Sequence, residues 1–354
     1  MRVLVVNAGS SSLKLRLLGD GDEPLGARDL EPGEDVGAAV AELGGADAVG
    51  HRVVHGGARF VEPVVIDAGV VAALEELTAL APLHQPPALA AIAAVGRAAP
   101  GLPAVACFDT AFHAGLPDAA ATYALPRAWR ERWPLRRYGF HGLSHAWIAR
   151  RAAEVLGGAE RIVSCHLGAG ASLAAIRDGR SVDTTMGFTP LAGLVMATRP
   201  GDVDPGLLLW MLERRELSEG EVSEALAHES GLKGLAGTAD MREVVAAAGR
   251  GEPDGALALD VYVHRLRGAI AGMAAALGGL DALVFTGRIG ERAPEVRARA
   301  AAGLGFLGVA LDEAANAAAT TDAEIGAASA PVSTLVIESR EDLEIARGVR
   351  AALA

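Results

Sequence analysis

VLVVNAGSSSLKLRLL, residues 3–18, decides the fold of this chain. An apolar run meets Asn7, a glycine and three serines, then resumes around Lys14. Residues 3–6 read as a buried strand, and 13–18 alternate as a half-buried one. The interruption has two readings. One is a polar hairpin tip. The other is an anion cradle, in which successive backbone N–H groups point at one anion and the Ser10 and Ser12 hydroxyls add donors. A tip needs no such density of small polar residues inside an apolar run, so the cradle is favoured.

The pattern returns in RIVSCHLGAGASLAAIRDG, residues 161–179. In both places a strand ends in a loop of glycine and small residues, closes on Ser-Leu, and runs back into Asp-Gly. The dipeptides Asp20-Gly21 and Asp178-Gly179 favour tight hairpins. A duplicated domain is expected, with a cleft between two facing glycine-rich loops. Elsewhere 49–54 reads as a strand ending at His55-Gly56-Gly57, 69–81 and 87–98 as helices, and 103–108 as a strand. A helix near 144–156 follows. Residues 183–206 read as a glycine-punctuated loop and helix, 207–215 and 219–228 as helices, and 280–290 as strand, loop and helix start. A strand at 332–337 and a charged helix at 340–353 end the chain. Only 20–48 reads as poorly structured. Strands alternating with helices indicate an α/β fold.

The 354 residues carry a net charge of −12, and 51% of them are hydrophobic. Such a chain supplies sizeable cores. Its acidity argues against nucleic-acid and anionic-membrane partners, which need a basic face. Cys107 and Cys165 lie in apolar runs outside any CxxC pattern, as buried reduced thiols do. The first apolar run is too short for a signal peptide, and the Ala/Gly-rich stretch near 269–285 contains Asp281. A cytoplasmic protein is expected. Lys14 and Lys233 are the two lysines in a sequence otherwise using arginine, which suggests either a need for a compact ammonium or chance survival.

GxxxxGK[ST], HExxH and GxSxG are absent, and no GxGxxG opens a helix after a strand. The chemistry rests instead on polar residues at strand ends. Arg52 sits in an apolar strand and needs an anionic partner, either a ligand or an internal carboxylate. Asp109 ends a strand where ligands bind in α/β folds, or else caps a helix. His141 and His145 have helical spacing, but without a third ligand at fitting distance they make a poor zinc pair. Glycines flanking His141 suggest a loop that brings the imidazole close to a ligand. Arg199 is the one cation of residues 183–206. Val54, Phe140 and Pro190 offer a small apolar pocket. Two arginines, an aspartate, a histidine and such a pocket suit a short-chain carboxylate and its phosphoryl transfer.

NAGSSSLK, GHRVVHGG, PLHQPP, FDTAFH, RRYGFHGLSH, HLGAGAS, DTTMGFTPLAGL and SGLKG, in this order, resemble the acetate kinases. The resemblance covers nearly the whole chain. It implies duplicated ribonuclease H-like α/β domains of the actin, Hsp70 and sugar kinase superfold flanking a central cleft. The domains would be 1–110 with the helix 343–354, and 111–342. It also implies ATP:acetate phosphoryl transfer with Mg²⁺ or Mn²⁺, acetate and ATP as small-molecule partners, and a homodimer. Asn7, Ser10, Ser12 and Lys14 would bind phosphate. Arg52 and Arg199 would clamp acetate and the transferring group, Asp109 would be the essential carboxylate, and His141, with Arg199, would stabilise the transition state. Val54, Leu83, Phe140 and Pro190 would line the methyl pocket. His166, Gly168, Gly170, Asp240, Arg242, Gly287, Arg288 and Gly290 would bind nucleotide. Asn7 and Glu341 would hold the metal, and His84 and His145 would support the site.

The departures gather on the nucleotide side. Ala169 stands where the family has asparagine, Arg288 where it has glycine, Arg292 where it has asparagine, and Gln85 replaces another asparagine. Three expectations follow. Arg288 swings clear and leaves an ATP enzyme, it shifts the donor toward pyrophosphate, or nucleotide binding is lost and the chain is a binding or regulatory module. Retention of Asp109, Arg52, Arg199 and His141 together argues against the last. Acetate and propionate differ by one methylene, worth only about 1–3 kcal/mol in a pocket.

Overall fold

The computed structural model describes residues 1–8, 13–31, 33–82 and 84–354. Ser10, Ser12 and Leu83 lie outside the described residues. The chain divides into two compact units. One comprises Met1–Ala114, Phe140–Trp147 and Arg340–Ala354; the other comprises Gly115–Gly139 and Ile148–Ser339.

The first unit is built on β1 (Val3–Ala8), β2 (Leu13–Leu18), β3 (Pro24–Leu30), β4 (Ala48–Val53), β5 (Val64–Val65) and β6 (Ala104–Phe108), in the order β3-β2-β1-β4-β6-β5. β1 pairs antiparallel with β2, placing Asn7 opposite Lys14, and parallel with β4. β1 is apolar throughout its start because both its faces are covered. Leu4 and Val6 pack with Val40, Ala91 and Val95 of the helices Val36–Leu43 and Gln85–Ala98. Val3 and Val5 pack with Ile345, Ala346 and Val349 of the C-terminal helix Glu341–Ala352. That helix lies tight on β4, since a Cβ at Gly50 would stand 2.5 Å from the Ile345 side chain. The close fit carries Glu341, the first residue of the helix, to the end of the sheet.

The second unit repeats the plan. β7 (Arg161–Leu167), β8 (Ala171–Arg177), β9 (Arg180–Thr184), β10 (Ala282–Thr286), β11 (Ala323–Glu324) and β12 (Ser333–Val336) form a sheet ordered β11-β12-β10-β7-β8-β9. Each sheet opens with a three-stranded antiparallel meander. Its first strand then pairs parallel with its fourth, the fourth with its sixth, and the short fifth strand pairs antiparallel with the sixth. The sequence echo at 3–18 and 161–177 is therefore the visible part of a duplicated topology. The long helix Pro253–Leu277 packs on β7, β8 and β9.

Three local expectations are corrected. Residues 20–48 hold β3 and the helix Val36–Leu43, capped by Asp35, whose carboxylate accepts from the Gly37 and Ala38 N–H groups. β3 is an edge strand with only Leu30 buried, so it has no hydrophobic alternation to read. Asp178-Gly179 makes the expected two-residue turn, with φ of 51° and 75°. Asp20-Gly21 does not, because β3 begins only at Pro24 and Asp22 takes the left-handed conformation instead. Residues 185–204 contain no helix; the chain stays irregular until Pro205–Glu213. Cys107 and Cys165 are buried and form no disulfide. Among the described residues, no helix is long and apolar enough to cross a membrane.

Candidate active site

Four polar side chains meet at the strand ends of the first unit. Arg52, from β4, pairs with Asp109, the residue after β6, with Nη2 2.6 Å from Oδ2 and Nε 3.1 Å from Oδ1. Its Nη1 donates to Asn7 Oδ1 at 3.1 Å and lies 3.8 Å from Glu341 Oε2. Asn7 Nδ2 in turn donates to Glu341 Oε2 at 2.9 Å. Three strand ends and one helix start thus share one guanidinium. Parallel pairing brings this about: Arg52 is in register with Cys107, which sets its side chain beside the chain end at Asp109. Asp109 is 1% exposed, so it is not the solvated cap residue of a helix. Burial pushes the Asp109 carboxyl above the usual carboxylate range, and Arg52 opposes that shift. Burial alone would lower the Arg52 pKa, but Asp109 and Glu341 hold it above its ordinary value. Lys14 is exposed on β2 opposite Asn7.

His141 stands beside this cluster through the backbone. It takes a left-handed conformation, φ 56°, just before the helix Gly142–Leu156. The Gly142 N–H donates to Asp109 O at 2.8 Å, and a Cβ at 142 would lie 2.1 Å from that oxygen. Glycine at 142 is what lets the helix start against the end of β6. Phe140 is buried with its ring 5.5 Å, edge-on, from His55, and its carbonyl lies 3.1 Å from His113 Nε2. Val54 is buried in the same unit. His113 and His145 rings are 5.6 Å apart. Burial lowers His113 to about 4 and His55 to about 4, so both are neutral near pH 7. The Gln85 amide donates to the carbonyls of His55 and Leu74.

In the second unit the tight turn between β7 and β8 borders a cavity of about 620 Å³. Gly168, Ala169, Asp240, Arg242, Arg288 and Arg292 line it together with the apolar Met241, Val245, Ile289 and Pro294. Asp240 caps the helix Met241–Gly249 and is chelated by the Arg242 guanidinium, whose hydrogen bonds hold its carboxyl near about 2. Gly287, φ 74°, abuts β7: a Cβ there would lie 2.9 Å from Leu167 O. Gly290 is buried in the helix Gly287–Arg292. Gly168 N–H donates to Gly170 O at 2.9 Å, closing the turn, and His166 pairs with Ser172 across the hairpin. Arg288 is helical rather than left-handed, so its Cβ introduces no backbone strain.

Arg199 is held differently from Arg52. Its Nη1 donates to Pro190 O at 2.7 Å, and no carboxylate among the described residues pairs with it. Burial pushes its pKa below the ordinary arginine value. The Met196–Arg199 turn is gripped by the start of the helix Gly231–Ala236: Ser230 N–H donates to Thr198 O, Leu232 N–H to Met196 O and Lys233 N–H to Ala197 O. A Cβ at Gly231, φ 64°, would stand 2.2 Å from Met196 O. Position 231 therefore requires glycine, a role that sequence reasoning missed although SGLKG is a family string. The Lys233 ammonium pairs with Glu229 at 2.7 Å on the surface, so the backbone of this motif, not its ammonium, positions Arg199.

A duplicated α/β sheet with carboxylates, guanidinia and glycine turns at its strand ends is the framework of a phosphoryl-transferring kinase. The acetokinase family model matches residues 36–347. The acetate kinase of Deinococcus deserti is 47% identical, covering 100% of this chain and 98% of its own. Among solved structures, Porphyromonas gingivalis acetate kinase superposes with a TM-score of 0.90 at 34% identity, covering 100% of both chains. A propionate kinase from Francisella tularensis subsp. tularensis SCHU S4 superposes at 0.91 with 35% identity over 98% of each. The chain belongs to the acetokinase family.

Proposed function

We propose that this protein is an acetate kinase that transfers the γ-phosphoryl group of ATP to acetate, reversibly, giving acetyl phosphate and ADP. The observation that carries the reading is the half-buried Arg52 shared by Asp109, Asn7 and Glu341. An acetate oxygen attacks the γ-phosphorus, the bond to the β–γ bridging oxygen breaks, and ADP leaves with that electron pair. No proton has to be removed from an ionised carboxylate, so the protein's task is positioning and charge neutralisation.

Arg52 orients acetate, whose methyl group is held by Val54, Leu83, Phe140 and Pro190. Arg199, a half-buried cation without a carboxylate partner, neutralises the equatorial phosphoryl oxygens, and His141 donates a hydrogen bond to them. Asp109 fixes Arg52. Asn7, Ser10, Ser12, Lys14, His166, Gly168 and Gly170 bind phosphate, while Asp240, Arg242, Gly287, Arg288 and Gly290 bind the nucleotide. Two carboxylates and an amide oxygen around one guanidinium are hard donors that fit Mg²⁺, which binds through one or two carboxylates plus substrate phosphates. Asn7, Asp109 and Glu341 would hold it. The ion would supply positive charge that offsets the negative charge of the phosphates.

The roomy, largely apolar cavity supports ATP rather than pyrophosphate as donor. Purified protein with acetate, Mg²⁺ and ATP should form an acyl phosphate that hydroxylamine traps as a hydroxamate. Product with pyrophosphate but none with ATP would overturn the donor assignment, and no product with either would overturn the activity. The reading also takes the protein as a cytoplasmic homodimer. The exposed Leu207, Leu209 and Trp210 on one helix support association, and light scattering on a sizing column tests it.

A further inference from the structure

The cavity beside the β7–β8 turn carries two guanidinia, Arg288 and Arg292, that feel Asp240 and Glu291 only through longer-range attraction. Arg288 and Arg292 stand four residues apart on the helix Gly287–Arg292, hence on one face, and both are exposed and line the cavity. Neither guanidinium has a hydrogen-bond or ion-pair partner among the described residues. The carboxylates of the lining are already engaged: Asp240 with Arg242, and Glu295 with Arg299 at 2.5 Å. Two guanidinia without an ion-pair partner, beside the apolar part of the lining, form a polar fork suited to phosphate oxygens.

Their placement says which part of a nucleotide they meet. Arg288 follows Gly287, whose backbone touches Leu167 at the start of the Gly168–Gly170 turn. Arg288 is thus the residue next to the contact with the turn. The apolar part of the lining, Met241, Val245, Ile289 and Pro294, is left for a base. Resting on the reading that this cavity takes the nucleotide, we propose that Arg288 and Arg292 clamp the phosphate chain of the donor, so that affinity rises with phosphate number rather than with base contacts.

Calorimetric titration of wild type, Arg288→Ala and Arg292→Ala with adenosine, AMP, ADP and pyrophosphate tests this. The ADP dissociation constant should rise roughly tenfold in each variant, the size of a partly solvated charge-assisted hydrogen bond, while adenosine binds as in wild type. Arg288→Lys should recover part of the loss, and added salt should narrow the gap between wild type and variants. Unchanged ADP affinity in both variants, or equal weakening of adenosine and ADP, overturns the clamp. If wild type binds pyrophosphate but neither adenosine nor ADP, and the variants weaken pyrophosphate, the nucleotide reading fails while the phosphate clamp stands. Exposure of both side chains keeps the variants folded, which circular dichroism checks.

Discussion

Arg52 and Asp109 form a partly buried ion pair, with Asp109 fully enclosed, in which Nε and Nη2 both reach the carboxylate, at 3.1 and 2.6 Å. Removing one partner leaves the other charge buried. Arg52→Ala should therefore unfold at lower urea, losing about 3–5 kcal/mol, and should also lose acyl phosphate formation. Urea titration beside the hydroxamate assay checks both. An Arg52→Ala protein as stable as wild type would show that the pair contributes nothing to the fold.

Arg199 gives the opposite expectation. It pairs with a carbonyl and not a carboxylate, so Arg199→Ala orphans no charge. Stability should stay within about 1 kcal/mol of wild type while turnover falls about a thousandfold, the scale of a lost transition-state arginine. Near-normal turnover would remove Arg199 from the reaction.

Gly231 should be intolerant of any side chain. Gly231→Ala adds a Cβ 2.2 Å from Met196 O at φ 64°. Strain and displacement together should cost about 2–4 kcal/mol. The moved turn carries Arg199, so kcat should drop while ADP affinity is kept. Crystals showing an unmoved Arg199 would refute the link.

Acid should destabilise the protein well before the carboxylates protonate. His51, His55 and His113 are each lowered to about 4 by burial. Between the unfolded value near 6.5 and the folded value, the unfolded chain binds protons that the native one refuses, so stability rises with pH there and is lost as pH falls. Each histidine contributes a loss of roughly 1.5 kcal/mol from pH 6.5 to pH 5. Urea midpoints across this range measure it, and a flat profile would mean that the three imidazoles are solvated.

Much of this could be read along the chain because it is locally encoded. The continuous run Val3–Val6 announces a strand covered on both faces, and Asp178-Gly179 announces its hairpin. β3 was illegible for the same reason in reverse: an edge strand with only Leu30 buried leaves no periodic trace. Arg52 in an apolar strand announced a need for an anion, but not which one.

By itself, then, the sequence determined the duplicated α/β plan and the residue types at its strand ends, since periodicity and turn chemistry act between neighbours. Only the tertiary structure decided partners. Asp109 meets Arg52 through parallel strand register, and Glu341 joins them because the last helix packs against Gly50. Gly231 acquires its importance from a backbone oxygen of Met196. Arg288 and Arg292 form no ion pair, while Arg242 and Arg299 hold Asp240 and Glu295 and the Ser339 N–H holds Glu291. Which charge meets which is fixed by chain closure over long separations, and no local pattern carries that information.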